Sequence, residues 1–379
     1  MVRNLLISFA ASAAVTLWLV HASKGHEGRS LDNNFTQPQK LHTVPVPRIG
    51  GVGIAVGLLL GVASLTLTLD TAAAQWGLLL LLCGVPAFGV GLWHDFTDTI
   101  APRGRLLATA VSAVLAFYVL GAAILVTDVP GLDWLAGTAA GALALTVLAV
   151  AGVSNAINII DGLNGLAAMC VAIMLAAISY VAFQVGDTFV GSLALVTLGA
   201  VLGFFMWNFP AGLIFLGDGG AYLLGFLFAE ISILLLVRNP EVSPLFPLLV
   251  CIYPVFETLF SIYRRYWLRA APASMPDGIH LHSLVYRRLM RWAVGNRSAK
   301  ALTRRNSMTS PYLWLLCSAS VVPAVLFWNN SAAIAVFLVL FGISYSLLYR
   351  RIVRFKSPRW LRASTSRPMP LSTRDNQET

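Results

Sequence analysis

Eleven stretches of close to twenty apolar residues follow one another along this chain, at about 4–20, 50–69, 76–93, 106–126, 134–154, 166–184, 189–207, 219–237, 245–263, 311–328 and 331–348. A helix needs roughly 20 apolar residues to cross the hydrocarbon core of a bilayer. There it must satisfy its own backbone N–H and C=O groups. The chain is therefore predicted to be an all-α, polytopic integral membrane protein with about 11 transmembrane helices. Only 11% of its 379 residues are charged, against about 25% in a soluble domain. The apolar runs leave no separate soluble domain. Residues 1–348 read as one transmembrane domain. Residues 349–379 read as a basic, disordered cytoplasmic tail, rich in Ser, Pro and Thr, on the anionic inner leaflet. The first stretch ends at Val20-His21-Ala22, where small residues would suit signal cleavage; an uncleaved span is preferred.

Lysine and arginine give the orientation. With the N-terminus outside, the segments 21–49, 94–105, 155–165, 208–218, 264–310 and 349–379 lie inside and hold 24 of the 26 basic residues; only Arg3 and Arg238 fall outside. The positive-inside rule then predicts an odd number of spans, N-out and C-in. The net charge of +10 reports this orientation, and no nucleic-acid partner is expected. The four cysteines, Cys83, Cys170, Cys251 and Cys317, stand alone in apolar segments, so a zinc site is not expected.

The unusual polar groups gather on the inside. In Asn155-Ala-Ile-Asn158-Ile-Ile-Asp161-Gly-Leu-Asn164-Gly165, two amides and a carboxylate recur every three residues and would share a helix face before the glycines end it. Polar groups at membrane depth mark function by default, although Asn and Asp also cap helix ends. Lys40-Leu-His42…Pro45-Val-Pro47-Arg48-Ile-Gly50-Gly51 offers cations for an anionic ligand, or interfacial snorkelling. Gly91-Leu-Trp-His94-Asp95-Phe-Thr-Asp98 puts acids at the mouth of a span, for metal binding, proton transfer or pairing with Arg103 and Arg105. Phe215-Leu-Gly217-Asp218-Gly-Gly220 carries a carboxylate that would suit Mg²⁺ or cap the next helix, with phosphate favoured at its N-terminus. Glu257, Arg264 and Arg265 precede Asp277-Gly-Ile-His280-Leu-His282, whose histidines suit phosphate binding or proton transfer in basic surroundings. Together these groups describe phosphoryl transfer onto a lipid phosphate, with a soluble donor entering from the cytoplasm.

These five motifs, in this order across residues 30 to 290, resemble the polyprenyl-phosphate N-acetylhexosamine-1-phosphate transferases, of glycosyltransferase family 4 type. The eleven spans and the His-x-His pattern look like the branch that initiates O-antigen and related polysaccharides. The resemblance implies transfer of a sugar-1-phosphate from a UDP-sugar to undecaprenyl phosphate, with release of UMP, at the cytoplasmic face of a bacterial inner membrane. It implies Mg²⁺, with Mn²⁺ as an alternative, on Asp218. Catalytic roles fall to Asp95, His94 and Asp161. Substrate binding falls to Lys40, His42, Arg48, Asn155, Asn158, Asn164, Arg265, His280 and His282. A homodimer stays open. His94 stands where the family usually has the first of two aspartates, so the base is Asp95, His94 or none. Asn164, Ala221, Glu257 and Gly278 also depart from the usual aspartate, serine, aspartate and arginine. The alternatives are the phospho-N-acetylmuramoyl-pentapeptide transferases, a secondary transporter with a midplane site, and a membrane scaffold without activity.

Overall fold

The computed structural model describes residues 1–23, 46–269, 280–290 and 299–354. Among these residues it is helical with no strand pairing into a sheet. In chain order the helices are α1 (Val2–Ser23), α2 (Gly50–Ala63), α3 (Thr71–Cys83), α4 (Val85–Thr97), α5 (Pro102–Leu120), α6 (Leu132–Ala136), α7 (Ala139–Ile160), α8 (Leu166–Gln184), α9 (Thr188–Asn208), α10 (Gly217–Arg238), α11 (Phe246–Val250), α12 (Ile252–Tyr263), α13 (Leu281–Leu284), α14 (Ala299–Leu326) and α15 (Ser331–Arg354). Nine spans among the described residues are long and apolar enough to cross a membrane. The pair α3–α4, bent by 45°, makes a tenth. The protein is a multi-pass membrane protein.

Two predicted spans are interrupted, and proline explains both. The stretch 76–93 bends at Gly84, where Pro86 has no N–H for the preceding turn; α4 then runs on to Thr97. The stretch 245–263 divides at Cys251 into α11 and α12, because Pro254 withholds the donor that Val250 would need. This divided stretch is the one predicted span that no single described helix is long enough to supply; α11 and α12 together run through it. The stretch 106–126 ends early, at Leu120, where Gly121 takes a left-handed conformation (φ +64°) that closes the helix.

Helix α10 is the axis of the bundle. Every residue from Gly217 to Leu235 is buried, as expected of a helix apolar on all sides. It packs against α2, α4, α5, α7, α8 and α9. Helix α1 docks on α2 and α9 through a stripe four residues apart, Asn4, Ser8, Ser12 and Thr16, all buried. Ser8 and Ser12 donate to the Val196 and Ala200 carbonyls of α9 at 2.8 and 2.7 Å. Small residues bring the backbones close where no hydrophobic force drives helices together.

Candidate active site

The last turns of α4 and α7 and the first turn of α10 meet at one end of the bundle. Glycines make this possible. A Cβ on Gly91 of α4 would lie 2.7 Å from the Gly219 backbone, and one on Gly51 of α2 would lie 2.5 Å from the Gly220 nitrogen. The extended segment before α2 lies along residues 215–216. Phe215 donates to the Pro47 carbonyl (2.8 Å), and Gly50 and Gly51 donate to Phe215 and Leu216 (both 2.9 Å). Arg48 is delivered to the start of α10 by this pairing.

Asp218 was expected to hold metal or to cap α10. Its side chain does not cap the helix; Asp95, from α4, does. Asp95 Oδ1 accepts from the Asp218 N–H (2.8 Å), and Oδ2 accepts from the Gly219 N–H (2.9 Å). These are two of the donors a helix start leaves without intrahelical partners. Asp95 thus meets two of the N–H groups that a phosphate at this N-terminus would otherwise meet. Gly217 (φ +76°) fits the approach, since a Cβ there would lie 2.6 Å from Asp95 Oδ2.

The Asp218 carboxylate is left facing the cluster. Oδ1 accepts from Asn158 Nδ2 at 3.1 Å and lies 3.6 Å from Arg48 Nη2. Oδ2 touches Arg105 Nη1 and lies 3.9 Å from His94 Nε2. Arg48 also reaches Asp95 (3.8 Å) and Asp98 (3.5 Å). One turn beyond Asp218, Tyr222 donates to Asn155 Oδ1 at 3.4 Å. Asp161 is the C-terminal cap residue of α7. Although part of its surface stays open, the packing around it raises its carboxyl well above the usual range; Arg48 opposes this rise and Asp95 adds to it.

A histidine wall completes the site. His280 and His282 are buried and stack in parallel, 5.3 Å between centroids. Their Nδ1 atoms both lie 3.6 Å from Glu257 Oε1. A Cβ on Gly162 would lie 3.1 Å from His282 Nε2, so this imidazole borders the turn that carries Asp161.

Of the residues singled out in the sequence, Arg48, His94, Asp95, Asn155, Asn158, Asp161 and Asp218 converge, with His280 and His282 adjoining through the Gly162 turn. Lys40 and His42 lie outside the described residues. Arg265 sits half-buried on the turn that continues α12. Asn164, expected to bind substrate, also makes hydrogen bonds within the protein. Its N–H donates to Asn306 Oδ1 (2.7 Å), its Nδ2 to Ser307 Oγ (3.2 Å), and its carbonyl accepts from Ser310 (2.6 Å), which fastens the turn to α14. The sequence suggests Arg105 only as a structural partner of the acids, whereas the structure brings it onto Asp218 itself. Its signal was available, because a cation in the first turn of a helix opposes the helix dipole.

Three carboxylates, of Asp95, Asp98 and Asp218, here face two guanidinium groups. Asp218 Oδ2 is buried without a hydrogen bond and has a guanidinium against it, where a cation belongs. Hard oxygen donors suit Mg²⁺, which takes one or two protein carboxylates and completes its shell with phosphate and water.

Residues 77–236 match the model of glycosyl transferase family 4, a region that contains α4, α7 and the start of α10. A probable undecaprenyl-phosphate N-acetylglucosaminyl 1-phosphate transferase of Bacillus subtilis is 32% identical over 263 residues, 68% of this chain and 70% of that protein. An undecaprenyl-phosphate alpha-N-acetylglucosaminyl 1-phosphate transferase of Thermotoga maritima is 31% identical over 93 residues, 24% of this chain and 30% of its own. A phospho-N-acetylmuramoyl-pentapeptide-transferase of Staphylococcus aureus is 35% identical over 81 residues, 21% of this chain and 24% of its own. Matching through the helices that build its carboxylate cluster and along two thirds of its length, the chain belongs to glycosyl transferase family 4.

Proposed function

We propose that this protein transfers an N-acetylhexosamine-1-phosphate from a UDP-sugar to undecaprenyl phosphate, releasing UMP and forming the diphosphate-linked lipid. The reaction would occur at the cytoplasmic face of a bacterial inner membrane and would initiate O-antigen or another envelope polysaccharide. One observation carries the reading: Arg48, Arg105, His94 and Asn158 converge on the Asp218 carboxylate at the end of a lipid-embedded bundle. The long match to the Bacillus subtilis relative supports the polyprenyl acceptor and the N-acetylglucosamine donor. The match to the pentapeptide transferase is far shorter.

Phosphoryl transfer asks the protein for position and for charge. Arg48 and Arg105 would bind the donor's diphosphate oxygens in place of the carboxylates they now meet, since guanidinium forks suit both anions. Asn155 and Asn158, one turn apart on α7, would orient the donor. Mg²⁺, held by Asp218, would supply neutralisation of the charge that grows on the leaving UMP, with Mn²⁺ as an alternative. Asp95, both oxygens committed to α10, holds the cluster in register and is poorly placed to take a proton. The attacking group has little need of a base. The second pKa of a phosphate monoester is about 6, so the acceptor is largely a dianion at neutral pH. His94 in place of an aspartate therefore need not cost the enzyme its chemistry.

The test is purified protein in detergent with undecaprenyl phosphate, Mg²⁺ and a panel of UDP-sugars, reading UMP and lipid-linked product. UMP release with an N-acetylhexosamine donor, abolished by chelation and restored by Mg²⁺, is the expected result. Folded protein that releases no UMP with any donor would overturn the proposal.

A further inference from the structure

Helix α15 lies outside the family match at residues 77–236 and outside all five sequence motifs, yet it reaches the histidine wall through one hydroxyl. Glu257 of α12 is buried, 1% exposed. A carboxylate there is costly unless every oxygen is met. Oε1 accepts from the Leu281 N–H at 2.6 Å and lies 3.6 Å from the Nδ1 atoms of both His280 and His282. Oε2 accepts from the Tyr345 hydroxyl of α15 at 2.9 Å. Tyr345, also 1% exposed, is fixed by rings of α12, Phe256 at 5.0 Å and Phe260 at 5.5 Å between centroids. The segment His280-Leu281-His282 is thus wrapped around one oxygen, a backbone N–H in the middle and an imidazole on each side.

We propose that Glu257 and Tyr345 are a positioning pair, holding both imidazoles with Nδ1 turned inward so that Nε2 faces the donor side of the site. A neutral imidazole carries one N–H, and the group facing one nitrogen decides the role of the other. With Nδ1–H directed at Glu257, His282 Nε2 is presented to the Gly162 turn, where the absence of a Cβ lets it approach. Tyr345 keeps the carboxylate from rotating away and makes α15 part of the active site's frame. The assignment rests on the proposed function, because it takes the donor to lie against this wall.

Two readouts separate the pair from the reaction. The first needs no substrate: imidazole nitrogen NMR of the full chain in detergent, labelled at histidine, with the two signals assigned by His280→Asn and His282→Asn. Protonated Nδ1 on both residues is expected in the parent protein, with loss of that pattern in Glu257→Gln. The second is kinetic. Glu257→Gln is expected to lower kcat/KM for the UDP-sugar about 10- to 100-fold, as loss of an outer orienting partner does elsewhere. Tyr345→Phe, which removes one hydrogen bond to the carboxylate, is expected to cost about 10-fold. In both, KM for undecaprenyl phosphate stays unchanged per folded molecule, and Glu257→Asp recovers part of the loss. A Glu257→Gln variant with unchanged nitrogen signals, or equal effects on both substrates, would overturn the pair. A parent protein that releases no UMP would sink the functional reading, while the nitrogen signals would still decide the positioning.

Discussion

The Asp95 carboxylate accepts two backbone N–H groups from another helix, and an amide in its place would accept with one oxygen only. Asp95→Asn should therefore leave one of the Asp218 and Gly219 N–H groups buried without an acceptor. The expected cost is about 1–3 kcal/mol, read as a lower thermal midpoint in detergent. A variant as stable as the parent would show that the carboxylate is not needed as a cap. Asp218 differs, because its side chain caps nothing. Asp218→Asn keeps an oxygen for Asn158 while removing the charge that faces Arg48 and Arg105. Stability should change little, while UMP release falls about 100-fold or more and no longer rises on titration with Mg²⁺. Normal Mg²⁺-dependent activity in this variant would remove Asp218 from the metal role.

At the level of elements, the site exists because α4 and α10 touch backbone to backbone. Gly91→Ala would force a Cβ to within 2.7 Å of the Gly219 Cα, against backbone with no side chain to yield. Helix α4 must move away and take Asp95 and His94 with it. A displacement near 1 Å can cost about 100-fold in rate, so this variant should insert and fold yet lose most of its activity. Parent-like turnover would mean that the contact is slack. The helices themselves were legible, because a run of apolar residues the length of a bilayer has few other structures open to it. The interruptions at Gly84 and Cys251 were not, since a proline inside an apolar run barely changes its hydropathy. The convergence of His94, Asp95, Asn158 and Asp218 was legible as motifs gathered on one side of the membrane. The bonds of Asn164 were not legible, because its partners Asn306 and Ser307 are 142 and 143 residues away, and nothing local announces them. Tyr345, 88 residues from Glu257, was silent for the same reason.

Across the whole molecule, α10, 22 residues long, carries Asp218 in its first turn and Arg238 at its other end. At 1.5 Å per residue that is about 33 Å, close to the thickness of the hydrocarbon core. At the far end Asp187 caps α9 through Val190 and accepts from Arg238 and Asn239. Burial pushes its carboxyl up, but these hydrogen bonds outweigh burial and hold it below the usual range. Its stabilisation is therefore complete above about pH 4, the unfolded value, and fades as pH falls through the lower folded value. Asp187→Asn should lower the thermal midpoint at pH 7 and converge on the parent in stronger acid; a gap that stays constant with pH would deny the ion pair its role. The same geometry gives orientation a direct test. If the basic segments face the cytoplasm, as 24 of 26 Lys and Arg predict, the Asp218 end is inside and the Asp187 end outside. The four native cysteines are all buried, so a membrane-impermeant maleimide has little background. Glu241 and Arg103 are both exposed, just beyond α10 and at the start of α5 near Asp98. Glu241→Cys should label in intact cells, and Arg103→Cys only after the membrane is opened. The reverse pattern would put the carboxylate cluster outside, away from any cytoplasmic nucleotide-sugar, and the proposed reaction would lose its donor.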